Sequence, residues 1–166
     1  AMAARGVMFR NAYSNAPVCC PSRSSMWSGT FTHTCEGWNN HKGLSPEDPT
    51  AIDRMTEHGY AVSCFGKMDY LSGAHTIRAR ISPWTNRALI ERPCYNHPAP
   101  RVMEGDRERY HTGDWKNVDR AIEWLRNEGV PGGKPFMLYV GIHKPHPSFV
   151  AGERYMKMID ADAIET

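Results

Sequence analysis

Residues 60–69 read YAVSCFGKMD, in which a mostly apolar run ends at a glycine and is followed at once by a lysine. The run 60–65 is continuous rather than alternating, which is typical of a strand buried on both faces of a parallel sheet. In the preceding segment, 49–58, apolar residues recur at helical spacing, and Gly59 marks its end. The stretch therefore predicts a helix followed by a buried strand.

A second segment repeats this order of helix and strand. Residues 114–126, DWKNVDRAIEWLR, place apolar side chains on one face of a helix, and the glycines between 129 and 133 interrupt it. Residues 135–142, PFMLYVGI, form another continuous apolar run. Repeated helix-to-strand units with such strands predict an α/β fold, with a mostly parallel sheet flanked by helices.

The N-terminal part of the chain predicts two shorter elements. Residues 7–13 have the spacing of a short strand. Residues 22–28 are predicted to form a short helix after Pro21, with Gly29 just past its end. Cys19 then lies at or just before a helix N-terminus, where unpaired backbone N–H groups and a partial positive charge favour an anion or an acidic nucleophile.

Cationic side chains follow both predicted strands. Lys67 comes directly after the first, and His146 closes the polar segment 143–146 after the second. Open α/β sheets bind ligands at the C-terminal ends of their strands, so Lys67 and His146 are predicted to lie at one edge of the sheet, on the same side as Cys19. Taken singly, each has an ordinary explanation: a packed cysteine, a solvated loop lysine and a structural histidine.

Composition excludes several classes of protein. The 166 residues carry a net charge of +2, from 20 basic and 18 acidic residues scattered in both signs, which argues against a nucleic-acid partner. No apolar stretch approaches the roughly 20 residues that span a bilayer. The first ten residues lack the apolar centre of a signal peptide, so any export signal is expected upstream. The five cysteines follow no zinc-binding spacing.

The segment 18–29, VCCPSRSSMWSG, carries the most specific pattern in the chain. Its order Cys19-x-Pro21-Ser22-Arg23, with Gly29 six residues on, resembles the signature of the sulfatase family in the alkaline-phosphatase superfamily. The resemblance implies that a formylglycine-generating enzyme oxidises Cys19 to formylglycine, while Cys20 fills the variable position as a packed small side chain. It extends in the order expected for the family through the runs FRNAYSNAPVCCPSR, MWSG, GWNN, EHGYAVSCFGKMDYLSG, DWKNVDRAIEWLR and GIHKPHPSF.

The resemblance also implies a mechanism and an alkaline-phosphatase-like fold, present here in part. Hydrated formylglycine at Cys19 would attack the sulfur of a sulfate ester, and Arg23 would hold the modified side chain. Lys67 matches the sulfate-binding lysine of the family, and His146 matches the histidine that contacts sulfate or donates a proton to the leaving oxygen. His75 is the candidate for a further sulfate-binding histidine, which in many relatives lies one or two residues beyond the lysine.

Calcium is the cofactor that the resemblance implies, and residue 19 is the one metal contact expected within this chain. The aspartate pairs that complete the family's calcium site have no match here, and Asp160 and Asp162 are predicted to lie on the surface at the edge of a helix. Residues 1–166 are therefore expected to be an interior part of a sulfatase catalytic domain, without its first strand and later metal-ligand region, and inactive alone.

The finer resemblance concerns the substrate. The runs at 26–33, 37–44 and 65–73 are most similar to a lysosomal subfamily that removes 2-O-sulfate from glucuronate, which implies a sulfated glycosaminoglycan-type substrate and a lysosomal or secreted protein. Residues 72–112 are predicted to cross one face of the sheet and to contribute to substrate choice. The cationic residues there, candidates for carboxylate contacts or for simple solvation, are Arg78, Arg80, Arg87 and His97.

Three alternatives remain open from the sequence. The chain could belong to a phosphonate or phosphodiester hydrolase of the same superfamily, or to a non-catalytic remnant that binds sulfated glycans. A small zinc module is the third, with an irregular ligand set of Cys19, His33, Cys35 and His41.

Overall fold

The computed structural model describes residues 3–40, 42–71, 101–103, 111–146 and 149–163. The chain divides into two compact units, one of Ala1–Arg54 with Asp69–Arg80 and the other of Met55–Met68 with Ile81–Thr166. In chain order the helices and strands are α1 (Cys19–Ser28), α2 (Ala51–Glu57), β1 (Ala61–Gly66), β2 (Arg101–Met103), α3 (Thr112–Trp124), β3 (Phe136–Gly141), β4 (Val150–Gly152) and α4 (Glu153–Met156).

The first unit is organised around α1, which confirms the predicted short helix. The helix begins at Cys19, three residues earlier than predicted, and its C-cap Gly29 adopts a left-handed conformation with φ of 70°. Cys19 thus lies at the N-terminus of the helix, as expected from the sequence, and is its first residue. One face of the helix is buried, and its members are Cys20, Pro21, Ser24, Ser25 and Trp27.

The strand predicted at residues 7–13 is wrong. The structure has no strand there, and Val7, Phe9 and Tyr13 are 80%, 78% and 92% exposed. A strand needs a neighbour to take its backbone hydrogen bonds, and no strand in the described residues pairs with this segment. The apolar spacing alone could not supply that neighbour.

The helix predicted over residues 49–58 is present as α2, and a reciprocal cap defines its start. The Asp53 carboxylate accepts hydrogen bonds from the backbone N–H and the hydroxyl of Thr50, at 2.8 and 2.7 Å. The Thr50 hydroxyl in turn accepts a bond from the Asp53 N–H at 3.4 Å. Such a capping box satisfies donors that the first helical turn leaves unpaired.

The second unit contains the predicted parallel pair of strands. β1 and β3 pair in parallel, with a register that runs from Ala61 opposite Phe136 to Gly66 opposite Gly141. Helix α3 packs on both strands and continues into a π-helical turn, Leu125–Gly129. The Arg120 guanidinium lies 4.9 Å from the centroid of the Phe65 ring. The predicted α/β architecture is confirmed.

Two features of this unit differ from the prediction. Most residues of β1 and β3 are half-buried rather than buried, because the described residues cover the two strands with little more than α3. A second parallel pair, β2 with β4, was not predicted, since three-residue strands are too short to leave a periodic pattern. β2 falls inside the region 72–112 that was predicted to cross the sheet; residues 72–100 and 104–110 lie outside the described part.

Across the described segments, no helix combines the length and the apolar character that crossing a membrane requires.

Candidate active site

The two adjacent cysteines of α1 have different environments. Cys20 is fully buried, whereas Cys19 is half-buried, because neighbouring residues of a helix point about 100° apart. The Cys20 sulfur lies 3.8 Å from the Ser24 hydroxyl, and burial raises the pKa of the Cys20 thiol. The prediction that Cys20 is a packed small side chain is confirmed.

Cys19 and Arg23 lie one helical turn apart, on a different face of α1 from Cys20. Both are half-buried, and Met26, three residues further along, is 52% exposed. Side chains four residues apart on a helix are neighbours. The pattern Cys-x-Pro-Ser-Arg therefore places its cysteine and its arginine together and away from the core of the first unit.

The N-terminus of α1 is held by a residue that the sequence did not identify. The backbone N–H of Cys20 donates to the Asn40 side-chain oxygen at 3.0 Å, and the N–H of Ser22 donates to the Val18 carbonyl at 3.0 Å. The sequence predicted unpaired backbone N–H groups at this helix end. At position 20 that prediction is wrong, because the N–H of Cys20 is bonded to Asn40. Asn40 belongs to the run GWNN, which carries part of the resemblance but gives no indication of this bond.

A second contact fixes the buried side of α1. The Ser24 hydroxyl donates to the Tyr70 carbonyl at 2.9 Å, and the Leu44 N–H donates to the same oxygen at 2.8 Å. The Tyr70 and Trp27 rings pack with their centroids 5.8 Å apart. These contacts set the orientation of α1, and with it the direction in which Cys19 and Arg23 face.

In the second unit, Lys67 leaves the sheet beside the end of β3. Its backbone N–H donates to the Gly141 carbonyl at 2.9 Å, and the Tyr139 hydroxyl donates to the Lys67 carbonyl at 3.3 Å. Because Gly66 pairs with Gly141 in the register, strands β1 and β3 both end at the same edge of the sheet. This is the edge at which the parallel arrangement predicted Lys67 and the histidine segment.

The segment after β3 is tied to the first turn of α3. The Asp114 carboxylate accepts from two successive backbone N–H groups, of His143 at 2.8 Å and of Lys144 at 3.2 Å. The His146 N–H donates to the His143 carbonyl at 3.1 Å, and the Lys144 ammonium donates to the His146 carbonyl at 3.1 Å. Asp114 was not singled out from the sequence, although an acidic residue in a first helical turn is a recognisable signal.

His143 is a further residue that the sequence did not single out. Its ring centroid lies 4.8 Å from that of His146. Partial desolvation lowers the pKa of His143, and the positive charges of Lys67 and His146 lower it further. Lys67, His143 and His146 therefore lie at one edge of this unit, an arrangement suited to an anion.

The predicted site residues are distributed over both units. Cys19 and Arg23 belong to the first unit, and Lys67 and His146 to the second. His75 lies outside the described residues, as do Arg78, Arg80, Arg87 and His97. The roles assigned to all of them stay predictions.

A metal site needs several ligands that converge. Within the described ranges, no group of three or more His, Cys, Asp or Glu side chains could hold a metal ion. Calcium takes six to eight oxygen ligands, so these residues alone do not fit a calcium site. Asp160 and Asp162 are exposed, as predicted, with the Asp162 N–H donating to the Asp160 carboxylate at 3.1 Å. Cys19, His33 and Cys35 of the zinc alternative form no such group in the described part of the chain, and His41 lies outside that part.

Comparison with known proteins defines the class. The sulfatase family model matches residues 1–162, and the chain belongs to the sulfatase family. Among curated proteins it is 47% identical to Arylsulfatase K of Canis lupus familiaris over 151 residues, which cover 88% of this chain and 28% of that protein. Arylsulfatase K of Homo sapiens is 46% identical over 151 residues, covering 88% and 27%. The resemblance to the sulfatase family is confirmed, both of these curated relatives are named Arylsulfatase K, and the chain spans 28% of the first of them.

Solved structures support the fold. A protein assigned as a sulfatase from Bacteroides thetaiotaomicron VPI-5482 matches with a TM-score of 0.54 at 23% identity, over 86% of this chain and 28% of that one. A structure titled as a 2-O GAG sulfatase matches with a TM-score of 0.52 at 24% identity, over the same shares. The predicted alkaline-phosphatase-like fold, present in part, is confirmed.

Proposed function

We propose that the full-length protein hydrolyses sulfate esters and that Cys19 is the precursor of its nucleophile. The observation that carries this proposal is the pattern Cys19-x-Pro21-Ser22-Arg23 on the first turns of α1, with Cys19 turned away from the core and Cys20 turned into it. Cys19 is a thiol rather than half of a disulfide, so it can be modified. Formylglycine at this position would supply a hydrated aldehyde, with one hydroxyl for attack on sulfur and a second for release of sulfate.

Arg23 is proposed to hold the modified side chain. It lies one helical turn from residue 19 on the same face of α1, and a guanidinium offers several donors in a rigid plane. An arginine at this spacing can donate hydrogen bonds to the oxygens of residue 19 without any change in the helix.

Lys67 and His146 are proposed to bind the sulfuryl oxygens, with His146 also donating a proton to the leaving oxygen. Support comes from the described edge of the second unit, where Lys67 follows the end of β1 beside Gly141 and the His146 ring lies 4.8 Å from the His143 ring. Cationic groups that are held in place before the reaction stabilise the negative charge that develops on the oxygens in the transition state. His75 is proposed as a further sulfate-binding residue on the resemblance alone.

The finer proposal concerns substrate and setting. We infer a 2-O-sulfate of glucuronate in a glycosaminoglycan-type chain as substrate, on the resemblance of the runs 26–33, 37–44 and 65–73 to one subfamily. Residues 1–166 are proposed to form part of the catalytic domain. The same proposal includes calcium as the cofactor, with further ligands from elsewhere in the protein. It also includes a formylglycine-generating enzyme as partner and a lysosomal or secreted location.

The decisive experiment examines residue 19 in the full-length protein, expressed in a host that contains the modifying enzyme. Mass spectrometry of the peptide that contains Cys19 should find a mass about 18 Da below that of the cysteine form. Cys19→Ala should abolish turnover of an aryl sulfate, whereas the matched control Cys20→Ala should largely preserve it. Equal loss from both changes would contradict the assignment of the nucleophile.

Two further outcomes would replace the proposal with an alternative. Unmodified Cys19, together with binding of sulfated glycans and no turnover, would indicate a non-catalytic remnant. Faster turnover of an aryl phosphodiester than of an aryl sulfate would indicate a phosphodiester hydrolase of the same superfamily.

A further inference from the structure

We propose that Asp114 is a positioning residue for this reaction, because it holds the turn 143–146 that carries His146. The inference rests on the proposed function and extends it to a residue that touches neither substrate nor nucleophile. Its basis is the pair of hydrogen bonds by which one carboxylate accepts from the backbone N–H groups of His143 and Lys144, at 2.8 and 3.2 Å.

The Asp114 side chain is directed at the turn rather than at its own helix N-terminus. Asp114 is the third residue of α3, a position from which an acidic side chain commonly turns back to cap its own helix. Here the N-cap residue, His111, has no side-chain capping bond, and both Asp114 oxygens accept from the turn instead. The carboxylate thus joins the helix to the turn.

Hydrogen bonds within the turn carry this constraint directly to His146. The His146 N–H donates to the His143 carbonyl, and the Lys144 ammonium donates to the His146 carbonyl, both at 3.1 Å. The His143 and His146 rings lie 4.8 Å apart. Asp114 holds the first two residues of the turn, so these contacts fix the backbone that presents His146.

The turn and Lys67 are both anchored to the same helix and sheet. Helix α3 packs against β1 and β3, and β1 delivers Lys67 to the same edge. Anchoring the turn to α3 therefore fixes His146 relative to the sheet that also positions Lys67. A displacement of about 1 Å in such a group can cost on the order of a hundredfold in rate.

The test compares variants of equal size in the full-length protein. Asp114→Asn keeps the shape but replaces one acceptor oxygen with an NH2 group, which faces an N–H donor and cannot accept from it. Asp119→Asn is the matched control, since Asp119 is an exposed carboxylate on the same helix. Asp114→Glu retains both acceptor oxygens on a longer side chain and tests rescue if the Asn variant folds poorly.

The expected result for Asp114→Asn is a fall in kcat of at least about tenfold with KM changed by less than about threefold, because a displaced His146 loses contacts that strengthen mainly in the transition state. Backbone amides 143 and 144 should exchange hydrogen faster in this variant. Asp119→Asn should match the parent in both measurements, and Asp114→Glu should recover part of the lost kcat and part of the protection.

Two failures can be told apart. In the first case, Cys19→Ala abolishes turnover, so the proposed function stands. The positioning role is then overturned if Asp114→Asn keeps the kcat of the control, or if Asp114→Glu recovers neither kcat nor protection from hydrogen exchange. If Cys19→Ala retains turnover, the proposed function falls, and the role of Asp114 in it falls too.

Discussion

Replacing Gly141 with alanine tests the geometry that brings Lys67 and the histidine segment to one edge. A Cβ atom on Gly141 would lie 2.3 Å from the Lys67 carbonyl oxygen and 2.7 Å from the Lys67 nitrogen. Both neighbours are backbone atoms, which cannot rotate away as a side chain would. The ends of β1 and β3 must therefore separate, and the hydrogen bond from the Lys67 N–H to the Gly141 carbonyl must lengthen from 2.9 Å.

The size of the effect follows from these contacts. Forcing extra volume into a packed site costs about 1–3 kcal/mol, and the weakened hydrogen bond adds about 1 kcal/mol. We expect Gly141→Ala to lower the free energy of unfolding by about 3 kcal/mol. Gly113→Ala is the matched control, because the added Cβ meets nothing within 4 Å. As Gly113 is helical, alanine there should stabilise by about 0.5–1 kcal/mol.

Urea unfolding of the two variants and the parent, followed by circular dichroism, measures both changes. Turnover of an aryl sulfate by folded Gly141→Ala should also fall, since Lys67 moves with the displaced strand. If Gly141→Ala unfolds at the urea concentration of the parent while Gly113→Ala behaves as expected, the close approach of the strand ends is wrong.

Two further predictions concern the charged edge of the second unit. Lys67→Ala and His146→Ala should each lower kcat by more than about tenfold, and the double variant should lose less than the product of the two, since both are proposed to act on one transition state. Multiplicative losses would contradict a shared anion. In NMR titrations, Lys67→Met should raise the pKa of His143 by removing a positive charge. A pKa of His143 that does not rise in this variant would contradict the arrangement.

The sequence predicted the elements whose signal is local. The continuous apolar run that became β1, the stripe that became α3 and the glycine that ends α1 each lie within one segment. The parallel pairing of β1 with β3 followed from the order of helices and strands. The edge at which Lys67 and His146 leave the sheet followed from the same argument.

Contacts between distant segments could not be predicted in the same way. Asp114 meets His143 across 29 positions, and Asn40 meets the Cys20 N–H across 20. Each is a bond from a side chain to a backbone group, so neither partner's residue type indicates the other. The segment 7–13 failed for a related reason, since its apolar spacing carries no information on whether a neighbouring strand is present.

The first helix also bears on how the sulfatase motif can vary in nature. In the pattern Cys19-x-Pro21-Ser22-Arg23 the second position is unspecified. In the folded chain that position is Cys20, which has no exposed surface. The space around its sulfur is filled, because a methyl group added to Gly43 would lie 2.8 Å from that atom. Substitution at position 20 is therefore limited by volume, so a library of variants should retain alanine and serine there and lose leucine and lysine, although the motif leaves the choice open.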